Sequence, residues 1–195
     1  MKMTRIEKRF VNRKKKSEKN IEKIKSDFKL IDLTKINTIL ELGCGVGFVS
    51  AYLAENYPFN VYSTDFDSEQ IETAKNIQPE IKNLCFQVED ASQLTFEDSS
   101  IDLVISQNVF HHVPNWQEAV KEISRILCPG GYLTWLDLTF SKLEKNIFLP
   151  FVKNYGLYTI EDIKLAFKIH GFKQLLQEQA AHGPMRQHHL LLQLS

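Results

Sequence analysis

A chain of 195 residues with 43% hydrophobic and 11% aromatic content matches one domain with a proper core, and its 25% charged residues are ordinary for a soluble domain. Its 24 basic and 24 acidic residues cancel overall, yet residues 1–26 hold eleven Lys/Arg against three Glu, leaving thirteen against twenty-one in 27–195. Cys44, Cys85 and Cys128 are odd in number and lack a C-x-x-C pair, which speaks against a disulfide framework or a zinc site and for reduced thiols in a cytoplasmic protein.

The basic N-terminus lacks the apolar segment of a signal peptide, and no apolar run approaches the roughly 18 residues of a membrane span. Residues 1–26 are helix-permissive. Ile6 and Phe10 lie one turn apart, Ile21, Ile24 and Phe28 share another face, and Arg13–Lys16 lies between. The plain reading is a solvated helix that docks by its few apolar residues. The sharper one is an electrostatic grip on nucleic acid or an anionic substrate, although no RNA-recognition motif accompanies it.

Ile36–Leu42 reads as a buried strand. Glycines follow at 43, 45 and 47, and Phe48 begins a helix that Tyr57-Pro58 ends. Strand, glycine turn and helix bring bare backbone close to a ligand. The spacing is not G-x-G-x-x-G, because Phe48 stands where the third glycine would be, and no lysine completes a P-loop. Asn60–Thr64 alternates as a second strand ending at Asp65, where α/β sheets bind ligands and a carboxylate can accept both ribose hydroxyls. Asp67 caps the next helix through a predicted capping box, with Ile71, Ala74 and Ile77 on one side.

Leu84–Val88 is a third strand, ending in Glu89-Asp90-Ala91, and Ile101–Ser106 a fourth, followed by Gln107-Asn108-Val109-Phe110-His111-His112. Asn115 is the expected cap of a helix whose core residues are Trp116, Ala119, Val120, Ile123 and Leu127. Cys128-Pro129-Gly130-Gly131 breaks it before a fifth strand, Tyr132–Leu138. Residues 139–158 are aromatic-rich (Phe140, Phe148, Phe151, Tyr155, Tyr158), with a helix expected over Lys142–Asn154. Thr159 and Asp162 then open a helix carrying Ile160, Ile163, Phe167 and His170. Phe172–Glu178 and His188–Leu194, linked by Gly183-Pro184, are the last strands, and His188 and His189 there read as structural.

Three stretches, ELGCGVG from Glu41, EDASQLTFEDSSIDLVIS from Glu89 and ISRILCPGGYLTW from Ile123, together resemble the Rossmann-like (class I) S-adenosylmethionine-dependent methyltransferases, small-molecule type, over Thr38 to Leu194. The resemblance implies a doubly wound α/β fold with a mostly parallel seven-stranded sheet, its last strand antiparallel. Residues 31–195 would be the methyltransferase domain, and 1–30 a basic N-terminal helical extension. It implies S-adenosylmethionine as cofactor and S-adenosylhomocysteine as product. Glu41, Gly43, Cys44, Gly45 and Gly47 would surround the methionine part. Asp65 with Phe66 would meet the ribose, Asp90 and Ala91 the adenine, and Gln107 and Asn108 the passage to the acceptor.

His111 is the candidate base, if the acceptor must lose a proton. Adjacent His111 and His112 in an extended segment would face opposite ways. No metal is implied. The expected partner is a small-molecule acceptor; the alternatives are an RNA or protein methyltransferase using the basic N-terminus, and a non-catalytic cofactor-binding protein.

Overall fold

Ile39, Leu40 and Leu42 are almost wholly buried because the strand that carries them lies in the middle of a sheet covered on both faces. The computed structural model describes residues 14–78, 80–148, 154–182 and 185–195. Its helices are α1 (Lys14–Phe28), α2 (Phe48–Asn56), α3 (Ser68–Ile77), α4 (Trp116–Ile126), α5 (Lys142–Phe148) and α6 (Ile160–Ile169). Its strands are β1 (Thr38–Leu42), β2 (Asn60–Asp65), β3 (Leu84–Val88), β4 (Ile101–Gln107), β5 (Leu127–Thr139), β6 (Phe172–His182) and β7 (Met185–Leu194). Ile6, Phe10, Arg13, Phe151, Gly183 and Pro184 lie outside the described residues.

Among the described residues, seven strands form one sheet in the order β3-β2-β1-β4-β5-β7-β6. The first five are parallel, and β7 runs antiparallel to both β5 and β6. The strand order reverses between β1 and β4. Connections leave in opposite directions there, so the carboxyl ends of β1 and β4 border a crevice where open α/β sheets bind ligands.

The two-residue period of the strands sorts their side chains into two cores. Leu40, Leu42, Val104, Leu133 and Trp135 pack with α4 and α6 on one face. Ile39, Val61, Leu103 and Ile105 pack on the other with Val49 and Leu53 of α2 and Ile24 and Phe28 of α1. Burying Ile24 and Phe28 stabilises by roughly 1.5–3 kcal/mol each. Polar ties add direction: buried Asp27 accepts from His189 Nε2 at 2.9 Å, and Lys23 meets Glu178 at 3.0 Å. The helix therefore docks by its apolar face, as its pattern predicts.

Several local expectations change. Cys128-Pro129-Gly130-Gly131 does not precede the fifth strand but lies inside it: Leu127 already pairs with Ile101, and a bulge separates that pair from Leu103–Tyr132. Helix α5 covers Lys142–Phe148 of the helix expected over Lys142–Asn154, and residues 149–153 lie outside the described residues. Ile77 is half exposed in the last turn of α3, beyond the reach of the sheet. Asn115 occupies the N-cap of α4 without a side-chain cap bond, whereas Thr159 and Asp162 make a reciprocal capping box on α6. Asp67 does cap α3, accepting from the Glu69 amide.

Candidate functional site

The turn after β1 takes its shape from residues with no Cβ. Gly43 has φ +66°, and a Cβ there would come within 2.4 Å of Val109 Cγ2 in the loop after β4. Only glycine lets these two loops touch. Gly47 is the N-cap of α2 with φ +75°, its missing Cβ leaving room for the Phe86 ring. Asp65, at the end of β2, holds the turn from outside. Its Oδ2 accepts from the Gly45 amide and its Oδ1 from the Asp67 amide, both at 2.9 Å. Asp65 thus braces the turn and also lines the cleft beside it.

A cleft of about 490 Å³ opens across the carboxyl ends of β1, β2, β3 and β4, a size suited to a nucleoside-sized ligand. Gly43, Asp65, Phe66, Asp90, Ala91, Gln107 and Asn108 all line it. Glu41 and Cys44 line a smaller adjoining recess, closed by Lys16, Ser17 and Asn20 of α1. Gly45 and Gly47 line neither of these spaces. They shape the turn, one through its amide and the other as a cap. Asp90 folds back on Ser92, accepting from its amide at 2.8 Å and its hydroxyl at 2.7 Å.

Two side-chain atoms at this rim are buried without a partner among the described residues: Gln107 Oε1 and Asn108 Nδ2. Their other ends are committed. Gln107 Nε2 donates to the Asn20 carbonyl at 3.2 Å, and Asn108 Oδ1 accepts from Gln187 Nε2 at 3.0 Å. Asn108 holds φ +60°, a conformation asparagine tolerates better than most residues. An orphaned buried donor or acceptor costs free energy until a ligand satisfies it. A nucleoside amino acid fits this set: carboxylates for sugar hydroxyls and a base amino group, bare backbone, and an amide oxygen for an ammonium.

The recess is also electrostatically tuned. Glu41 sits on the α1/α2 face of β1, with the Ser50 hydroxyl donating to it. Burial, opposed by Ser50 and reinforced by the Asp65 charge, pushes its carboxyl up to about 7. Burial, with Glu41 and Asp65 nearby, also drives the Cys44 thiol well above its ordinary value, which disfavours the thiolate.

Residues 110–112 form a 3-10 turn, not an extended segment. The two histidine rings therefore lie side by side, with centroids 4.0 Å apart, instead of on opposite faces. His111 Nδ1 makes a close contact with Asp137 Oδ1 on β5. Asp137 is fully buried and also accepts from the Val109, Phe110 and Leu138 amides at 2.7–2.9 Å. With Nδ1–H donating to this carboxylate, Nε2 is left as the basic nitrogen. Sequence reasoning missed Asp137. Its signal was available: the one acid in the mostly apolar run Tyr132–Leu138, whose cost demands bonded partners.

Residues 40–135 match a family described as a methyltransferase domain. The 2-methyl-6-phytyl-1,4-hydroquinone methyltransferase of Synechocystis is 37% identical over 100 residues, 51% of this chain and 31% of that protein. The tocopherol O-methyltransferase of Arabidopsis thaliana is 29% identical over 160 residues, 68% of this chain and 46% of the relative. The chain thus spans about a third to a half of the length of these curated relatives. In fold, it is similar to the crystal structure of a sarcosine dimethylglycine methyltransferase homologue from Galdieria sulphuraria, with a TM-score of 0.79 at 15% identity over 91% of this chain and 86% of that one.

Proposed function

This chain belongs to the Rossmann-like (class I) S-adenosylmethionine-dependent methyltransferases, and on that premise we propose that it transfers a methyl group to a small-molecule acceptor. The observation that carries the proposal is the cleft over the β1/β4 reversal, where seven residues chosen from sequence for cofactor binding line one space. When bound, S-adenosylmethionine supplies an electrophilic methyl group already activated by its sulfonium charge.

The chain's own residues then have three tasks. The first is to hold: Asp65 takes ribose hydroxyls, Asp90 with the Ala91 amide takes the adenine edge, and Gln107 Oε1 takes the amino group beside Glu41. The second is to align the acceptor, which Asn108 does from its place between the cleft and the space beyond it; positioning supplies much of the acceleration in such displacements. The third is to take a proton where the acceptor has one to lose. His111, fixed by Asp137, is the group for that task, with Nε2 free of the Asp137 contact that Nδ1 makes.

Small acceptors are favoured by the named relatives, which act on quinol- and tocopherol-type molecules. The unpaired thiols of Cys44, Cys85 and Cys128 suit a reducing compartment such as the cytoplasm. Calorimetry with S-adenosylhomocysteine tests the reading: it requires one site, weakened by Asp65→Ala. Release of S-adenosylhomocysteine on a metabolite pool, with a mass gain of one methyl group on one component, then identifies the acceptor. A protein that binds the cofactor but releases no product with any pool would be a binding protein instead.

A further inference from the structure

Beside the cofactor cleft lies a second cavity of about 440 Å³, and Asn108 and His112 form the wall between them. Its floor is Leu136 and Leu138 of β5, with His111 at one side and Gln187 of β7 at another. Its roof is α1, which contributes Lys15, Lys16, Lys19 and Lys23. Helical spacing explains the convergence: positions 16, 20 and 23 recur on one side of a helix, with 15 and 19 on its shoulder. Among the described residues, no carboxylate lines this space.

Lys23 is paired with Glu178, but among the described residues no carboxylate lies within ion-pairing distance of Lys15, Lys16 or Lys19. Three ammonium groups within about one turn repel one another, and like charges four apart destabilise a helix. Lys16 is half-buried as well. Burial pulls its ammonium below the ordinary lysine range, with the Asp137 charge acting the other way. Lys15 and Lys19 are exposed and Lys16 is half-buried where they line this cavity, and three cations with no carboxylate partner among the described residues favour a counter-charge there.

Building on the methyltransferase reading, we infer that this cavity is the acceptor site and that the acceptor carries an acidic group, a phosphate or a carboxylate, held by Lys16 with Lys15 and Lys19. The leucine floor takes the acceptor's apolar part, and His111 stands beside the position of its nucleophile. A neutral quinol in the same space would leave the half-buried Lys16 ammonium without a counter-charge. The space is partly open to solvent, and its volume of about 440 Å³ matches a small acceptor rather than a long nucleic-acid backbone.

The test is calorimetry on the S-adenosylhomocysteine-loaded chain with three probes of similar size: phenyl phosphate, benzoate and phenol. The expected result is that phenyl phosphate or benzoate binds at least about tenfold more tightly than phenol, the scale of one charge-assisted bond. The preferred acid separates a phosphate site from a carboxylate site. Lys16→Met should abolish the preference. Lys15→Met/Lys19→Met should reduce it while leaving S-adenosylhomocysteine affinity within about twofold, since neither residue lines the cofactor recess. Equal binding of the three probes, no binding of either acid, or a preference that survives Lys16→Met would overturn the inference. So would salt-sensitive binding of single-stranded RNA that the small acids fail to displace. Failure of S-adenosylhomocysteine itself to bind would instead sink the cofactor reading, which separates the two.

Discussion

Replacing Glu41 by glutamine isolates the electrostatic cost of the recess. The glutamate is 5% exposed and its carboxyl is displaced from the usual 4.5 to about 7, first by burial and then by the Asp65 charge, against the Ser50 hydroxyl bond. At about 1.4 kcal/mol per pH unit, that displacement corresponds to about 3.5 kcal/mol. The sign follows from proton counting. Below about pH 4.5 the folded and unfolded chains both hold the proton, and Glu41 carries no penalty. Between 4.5 and 7 the unfolded chain releases it while the folded chain keeps it, so stability falls as pH rises. Above 7 the full penalty is present. Glutamine keeps the shape and an acceptor oxygen for Ser50 and has no charge to desolvate.

Urea unfolding of the wild-type chain and Glu41→Gln at pH 5, 6, 7 and 8 reads this directly. The stability of the variant relative to wild type should rise by about 2.5 kcal/mol from pH 5 to pH 8, because part of the penalty is already present at pH 5. Taking the difference between the two chains removes every other titrating group they share. A difference that stays flat with pH, or that falls as pH rises, would refute the claim that burial raises this carboxyl.

The remaining predictions concern the loops and the histidine. Asp65→Ala should weaken S-adenosylhomocysteine binding by roughly 1–3 kcal/mol, measured by calorimetry, because it removes charge-assisted bonds and also frees the Gly45 amide; an unchanged dissociation constant removes Asp65 from the site. Gly43→Ala and Gly130→Ala both place a side chain at positive φ, a strain of about 1–2 kcal/mol, yet only the first drives a Cβ into Val109, while the second meets nothing within 4 Å. Thermal melts should therefore show the larger loss for Gly43→Ala, and equal losses would mean the two loops are not in contact. Asp137→Asn should cost roughly 2–4 kcal/mol in urea, because one amide oxygen replaces a buried carboxylate that serves three backbone amides and His111. His111→Gln should cost under about 1 kcal/mol of stability and leave cofactor affinity intact, while lowering turnover about 100-fold on an acceptor that loses a proton.

Much of the rim was legible in advance because its information is local. The glycines at 43, 45 and 47 announce a turn, and Asp65, Asp90 and Gln107 each stand where a strand pattern runs out. Strand ends in a parallel sheet gather at one edge, so three local readings combine into one site once the sheet is granted. The misreadings are local too, and they fail where tertiary contacts outrank pattern. Proline and glycines at 129–131 look like a break, but pairing of Leu127 with Ile101 begins β5 before them. His111 and His112 look extended, but Asp137 gathers the Val109 and Phe110 amides and winds the segment into a 3-10 turn.

Chain order, hydrophobic period and turn chemistry were enough to determine the seven strands and most of the residues that line the cleft. Each depends on neighbours within a few positions, and those are written along the chain. The Asp137–His111 pair, the Asn20–Gln107 bond and the His189–Asp27 tie join residues 26, 87 and 162 positions apart. Which side chains meet over such distances depends on strand order and on where α1 docks. Only the folded chain decides that, because burial and electrostatic cost are summed over the whole molecule at once.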